Sequence, residues 1–197
     1  QQAAGLNGNR YATFHQLGKE QAQKLHEDDR LYDVGDTIFI GSTPLGNSSL
    51  SLYLREYHDN ALSMYPAIGN VKEGRLPEEA IEIALSEDAL QYLGLDAVIG
   101  DTVSLDLSVS VMDGSLSELE YSADFVLTGI LESSYIGYAS GTVEGIVGEG
   151  TAEELLPEEY LLYSTDFKTY DKQNFQSIIY ALAEDLNVDE RYIQYNW

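Results

Sequence analysis

Apolar and polar residues alternate in NRYATFHQL, with Tyr11, Thr13 and His15 on one side and Ala12 and Phe14 on the other. A period of two predicts a strand. KEQAQKLHED switches to helical spacing, with Ala22 and Leu25 facing inward. YDVGDTIFIG and SLSLYLREY predict two further strands, the second alternating Leu50, Leu52 and Leu54 with polar or aromatic neighbours. The NSS between them is a turn signal. Asp59 is placed to cap a short helix that runs to about Met64 and is ended by Pro66.

The most punctuated stretch is GRLPEEAIEIALSEDALQYLG, Gly74 to Gly94. Gly74 and Pro77 bracket a turn. Ile81, Ile83 and Leu85 alternate with Ala80, Glu82 and Ala84, the pattern of a half-buried strand. Ser86 is placed to cap the next helix, and Glu87 and Asp88 sit in its first turn, where the helix dipole favours acids. Ala89, Leu90 and Leu93 face inward. Gly94 marks the helix stop, because glycine reaches the left-handed conformation without a Cβ clash.

IGDTVSLDLSVSV predicts a turn at Gly100–Asp101 and then a strand, SADFVLTGILE predicts another, and MDGS lies in their connection. The Gly, Ser and Tyr content of residues 133–150 predicts loop. Thr151 and Glu154 fit a capping box for a short helix. EYLLYSTDF predicts a strand. In KQNFQSIIYALAEDL, the residues Phe175, Ile178, Ile179, Leu182 and Leu186 form one apolar helical face. RYIQYN closes the chain as a strand. The pattern as a whole is α+β: helix and strand elements of βαβ type at both ends, around a strand-rich middle.

Charge sharpens that division. Of 34 Asp and Glu against 10 Lys and Arg, the segment 76–167 carries 20 acids and no Lys, Arg or His. Residues 1–75 carry 9 acids and 7 bases, and 168–197 carry 5 and 3. Such a break predicts a separate middle unit, whose acids form either a plain solvated surface, the favoured reading, or one that attracts cations or cationic peptides. The net charge of −24 argues against nucleic acid as a partner. At 197 residues and 44% hydrophobic, the chain can build a real core. No run of 18 apolar residues occurs, so no membrane span is expected within it, and the polar opening residues lack a signal-peptide pattern. With no cysteine, disulfides, thiolate catalysis and cysteine metal sites are absent.

Little catalytic chemistry emerges. GYASGTVEGIVGEGT is glycine-rich, yet it lacks the Gly-Lys-Ser/Thr ending of a phosphate loop, and Glu144 and Glu149 would repel phosphate. DLNVDE begins like an EF-hand, but its sixth position is Glu190 and its twelfth Asn196. Turn and cap chemistry explains it, although Ca²⁺ could sit among the many acids. His15, His26 and His58 show no paired metal-ligand spacing, which favours structural roles. Ser140 has Tyr138 where a nucleophile elbow needs glycine. Tyr135 and Tyr138, in the predicted loop, are candidate anchors for a partner. No catalytic residue, metal or cofactor is expected.

The motif GRLPEEAIEIALSEDALQYLGLDAVIGDTVSLDL, with FVLTGIL after it, resembles the extracellular domain of FtsX/MacB-like ABC transporter permeases of Gram-positive type. The resemblance rests on Gly74, Arg75, Pro77, Glu82, Ile83, Leu93, Gly94, Ile99, Gly100, Asp101, Phe125, Gly129 and Ile130. YATFHQLGKEQAQKL is similar to the family's first strand and helix, and IIYALAEDLNVDERYIQYN to its closing helix and strand. Residues 133–150 depart from the pattern.

The resemblance implies a discontinuous architecture: a porter-like subdomain from 1–75 plus 155–197, and an inserted acidic, strand-rich subdomain at 76–154. It implies a non-catalytic outer loop between the first two membrane helices of a permease that dimerises and works with a cytoplasmic ATPase. Such a loop transmits ATP-driven motion and contacts an extracellular protein or peptide. Gly74 and Pro77 are then expected to set a hinge into the insert, and Gly94, Gly100 and Gly129 to permit tight turns. The alternative is an extracellular sensor for cationic peptides. An exported hydrolase, which needs a concave site with converging acids, is the remaining reading.

Overall fold

The structure is a computed structural model that describes residues 10–59, 61–113, 115–133 and 138–196. Packing divides the chain into two units. The first comprises Gln1–Thr37, His58–Met64 and Leu162–Trp197, and the second Ile38–Tyr57 and Tyr65–Leu161. These bounds differ from the expected 1–75 plus 155–197 and 76–154. Residues 38–57 and 65–75 pack with the insert, because the strands they form pair with strands of the acidic segment.

In the first unit, β1 (Tyr11–Leu17) lies between β9 (Tyr163–Thr169) and β10 (Ile193–Asn196), antiparallel to both. The pairing brings Tyr11 opposite Asn196. The first half of β2 (Leu31–Pro44) neighbours β9. Helices α1 (Lys19–His26) and α4 (Phe175–Leu186) complete the unit. Ala12, Phe14 and Phe167 are fully buried, and the rings of Phe14 and Phe167 meet edge to face at 5.1 Å. Ala22 and Leu25 on α1, and Phe175, Ile179, Leu182 and Leu186 on α4, are the buried faces that the helical spacing predicted. Ile178 is only half-buried. Helix α4 ends at Asn187 (φ +57°), where Val188 N–H returns to Ala183 O and Asn187 N–H to Glu184 O. Asparagine here takes the left-handed role that glycine usually fills.

In the second unit, the rest of β2 is followed across the sheet by β3 (Ser51–Tyr57), β8 (Thr142–Val147), β5 (Glu82–Ser86), β7 (Ser115–Leu131) and β4 (Val71–Gly74). β3 pairs with β8 and β5 with β7 in parallel, whereas β5–β8 and β4–β7 are antiparallel. β6 (Thr102–Asp113) forms a long hairpin with β7, and Val103, Leu105, Leu107, Val109 and Phe125 line its buried face. Two short helices, α2 (Glu87–Tyr92) and α3 (Thr151–Leu155), pack within the unit.

Several local expectations change. Residues 142–147 form the central strand β8 instead of loop. The glycine within that strand sits in packing: a Cβ at Gly145 would lie 2.6 Å from Leu54 Cδ2. β5 is buried on both sides rather than half-buried, and Ile81 (φ +62°) belongs to the turn before it. β7 begins at Ser115, well before the predicted SADFVLTGILE. Asp59 (φ +54°) lies in a left-handed turn rather than the extended conformation of a cap, and Ala61–Met64 is a 3₁₀ turn. Glu158–Tyr160, which overlaps the start of the predicted strand EYLLYSTDF, is another 3₁₀ turn. Among the described residues, no helix is long and apolar enough to cross a membrane.

Candidate functional site

The motif residues converge within the second unit, around one ion pair. The Arg75 guanidinium donates to both carboxylate oxygens of Glu82, Nη1 to Oε1 at 3.0 Å and Nη2 to Oε2 at 2.6 Å. Glu82 Oε1 also accepts from the Glu78 and Glu79 amides at 2.9 and 3.0 Å, closing the turn that Pro77 opens. The guanidinium and these amides hold the Glu82 carboxyl at a pKa of about 2, well below its ordinary value. Bidentate charge-assisted bonds fix geometry as well as charge. The pair is therefore a clasp on the loop from β4 to β5.

The glycines explain how strands approach that clasp. Gly74 (φ +79°) sits opposite Gly129 in the β4–β7 pair. A Cβ at Gly129 would overlap the Arg75 carbonyl oxygen, and one at Gly74 the Thr128 carbonyl oxygen. Arg75 N–H donates to Thr128 O at 2.9 Å, and Thr128 Oγ1 donates back to Arg75 O at 3.2 Å. Gly100 (φ +97°) and Asp101 form the turn before β6, held by Gly100 N–H to Leu127 O and Leu127 N–H to Asp101 O. Asp101 Oδ2 accepts from Val98 N–H at 3.0 Å. Gly94 (φ +72°) ends α2, with Leu95 N–H bonded to Leu90 O and Gly94 N–H to Gln91 O. Ser86 Oγ caps α2 from Ala89 N–H at 3.2 Å, as its position predicted.

The hinge was expected at Gly74 and Pro77. Gly74 and Pro77 lie inside the second unit, whereas the chain passes between units at 37/38, 57/58, 64/65 and 161/162. The motif joins β4, β5, β6 and β7 into one node of a single unit. Of the two candidate partner anchors, the Tyr138 hydroxyl donates to Asp88 Oδ2 at 2.7 Å, within its own unit. Tyr135 lies outside the described residues.

Two arrangements were not foreseen. The nearly fully buried Glu56 on β3 accepts from Ala152 N–H at 2.8 Å and Gly150 N–H at 3.2 Å, and so caps α3. The expected Thr151–Glu154 box does not form. Gly150 (φ +93°) precedes the helix, and Thr151 Oγ1 donates instead to Gly148 O at 2.6 Å. The signal was present in the sequence, since Glu56 continues the inward phase of Leu52 and Leu54. The second arrangement is a polar chain across the first unit's sheet. His15 Nδ1 is 2.8 Å from Ser164 Oγ, and His15 Nε2 is 2.9 Å from Gln194 Oε1. Its order is that of a nucleophile, a base and an orienting group, but Gln194 is exposed on an open sheet.

On the second unit, Ser42, Asp106, Ser108, Glu120, Tyr121 and Ser122 line a shallow groove beside the β6–β7 hairpin. The Tyr121 hydroxyl donates to Ile40 O, and burial pushes its pKa far above the ordinary value. Its other polar groups are hydroxyls and carboxylates, with Ser122 Oγ donating to Asp106 Oδ1 at 2.5 Å, so the groove can accept a cation.

Comparisons with solved structures place this architecture. The periplasmic region of MacB from Actinobacillus actinomycetemcomitans matches with a TM-score of 0.59 over 100% of this chain and 92% of that one, at 13% identity. The extracellular domain of the noncanonic ABC-type transporter YknZ from Gram-positive bacteria matches with a TM-score of 0.60 over 95% of this chain and 100% of that one, at 11% identity. No family model matches the chain. No curated protein matches it either. The resemblance read from the Gly74–Ile130 motif is met at the level of architecture: the chain has the α+β fold of the MacB periplasmic region and the YknZ extracellular domain.

Proposed function

We propose that the chain is the extracellular domain of an ABC transporter permease, non-catalytic, transmitting ATP-driven motion across the membrane. The observation that carries this reading is the fold likeness over nearly the whole of both comparison domains. The Tyr11–Asn196 pairing supports it, since a loop between neighbouring membrane helices must leave and return at one place. In this reading the partners are the permease helices flanking both ends, a second permease copy, a cytoplasmic ATPase acting through them, and an extracellular protein or peptide. The Arg75–Glu82 clasp then keeps the second unit stiff, which a force-bearing part requires.

This segment contains no cysteine, so a cysteine introduced into it is its single labelling site. The full-length permease would be reconstituted with its ATPase, with a spin label at Gln176→Cys on the exposed side of α4. The distance between the two copies should change from the nucleotide-free to the ATP-trapped state. An unchanged distance during ATP hydrolysis contradicts motion transmission.

The acidic groove at Asp106 and Glu120 favours a second reading, a sensor for cationic peptides. Binding of basic peptides that weakens with salt and is lost in Asp106→Asn with Glu120→Gln would favour that reading over the first.

A further inference from the structure

Helix α1, strand β2 and the segment after β3 bring together three side chains that are remote in sequence. His26, Asp36 and Asp59 each offer one ligand atom within 4.8 Å of the other two. All three belong to the first unit. The His26 imidazole lies between the carboxylates: Nε2 is 2.9 Å from Asp36 Oδ2, and Nδ1 is 3.9 Å from Asp59 Oδ2.

The Asp36 side of this cluster is built. The residue is only 8% exposed, and its other oxygen, Oδ1, accepts from the fully buried Thr165 hydroxyl at 2.7 Å. Its backbone carbonyl accepts from His58 N–H at 2.8 Å, which fixes the segment carrying Asp59 against β2. The Asp59 side is open, with a side chain 61% exposed.

The tautomer follows from these contacts. With Nε2–H donating to Asp36, a neutral imidazole presents its Nδ1 lone pair to the Asp59 carboxylate. Two acceptors then face each other across a gap of 3.9 Å with no proton between them. A cation between them satisfies both. Zinc bonds of about 2.0–2.1 Å to nitrogen and about 2.0–2.2 Å to oxygen span such a gap, at an angle wider than tetrahedral. A rotamer adjustment of the exposed Asp59 closes the angle to the tetrahedral value. Asp36, holding the far ring nitrogen, then stands where a carboxylate orients a metal-ligating histidine and raises its basicity.

We propose that His26 Nδ1 and Asp59, with Asp36 orienting the imidazole, form a site for a divalent transition metal of the zinc type, completed by water. A mixed imidazole and carboxylate donor set suits Zn²⁺ better than Ca²⁺ or Mg²⁺, which take oxygen sets. Bound there, the ion joins the turn at Asp59 to α1 and β2 within one unit. The site does not depend on the transporter reading.

Titrating the metal-free chain with Zn²⁺ at about pH 7.5, where an ordinary imidazole is neutral, tests this. Calorimetry gives the stoichiometry, and nitrogen-15 spectra of the three histidines identify the nitrogen that binds. The expected result is a single dominant equivalent, a changed His26 Nδ1 signal, and a Tm that rises with Zn²⁺ concentration by linkage. His26→Gln and Asp59→Asn should each weaken binding at least about tenfold, and Asp36→Asn about tenfold or more through the lost orientation. His15→Gln should leave binding unchanged, since that ring is engaged by Ser164 and Gln194. Circular dichroism checks each variant, and the exposed Asp59→Asn keeps the test decisive if His26→Gln does not fold. Binding that survives both ligand variants, or several weak equivalents spread over the carboxylates, means adventitious cations only and overturns the proposal. A His26 signal that responds to pH but not to saturating Zn²⁺ also overturns it, because a proton then takes the metal's place.

Discussion

At the residue scale, Glu82 shows how a conspicuous motif can be wholly structural. Its carboxylate receives a bidentate Arg75 and two amides, so its pKa falls to about 2. The sign of the linkage follows. In the unfolded chain the group titrates near the ordinary glutamate value, so its contribution to stability is complete above about pH 4.5. That contribution is lost as pH falls towards 2, because protonation is then disfavoured only in the folded state. Glu82→Gln should flatten the acid limb of stability across this window in urea unfolding, and a limb of unchanged slope would show that the clasp contributes nothing. The arginine, acid, glycine and proline of this node were all legible as a set. Their purpose was not, because Gly129 acts on Arg75 across a β4–β7 pairing that no local pattern reveals.

At the scale of elements, helices and alternating strands were readable, and the departures share a cause. Local rules fail where a distant side chain supplies what the rule expects from a neighbour. α3 is such a case: its first amides are capped by Glu56, nearly a hundred residues earlier in sequence, rather than by Thr151. Replacing Glu56 leaves buried donors without an acceptor, at a cost of about 2–4 kcal/mol. Glu56→Ala should lower stability by that amount and speed hydrogen exchange at Gly150 and Ala152. Glu56→Gln, which keeps one acceptor oxygen, should lose less. Equal protection of those two amides in Glu56→Ala and the parent chain would contradict the capping role. Strand β8 failed for the complementary reason: Gly145 reads as flexible in isolation, yet it lies in the sheet, where an added Cβ would crowd the side chains of Leu54 and Leu85.

At the scale of the whole molecule, the charge break at 76–167 announced a second unit but not its membership. Acidity is a property of surface, whereas membership follows strand pairing. β3 joins the second unit because it lies parallel to β8, although it precedes the acidic segment by some twenty residues. The discontinuity itself was legible, since strands and helices of one kind recur at both ends. It also makes the central claim measurable, because an outer loop between adjacent membrane helices must bring its ends together. Spin labels at Arg10→Cys and Asn196→Cys, read by double electron–electron resonance, give that distance directly. The account predicts a short, narrow distribution on the order of 10–20 Å, the width of a pair of packed helices, in keeping with the Tyr11–Asn196 pairing. Broad or long distances, with the ends at opposite poles, would contradict both the shared end-built unit and the permease reading.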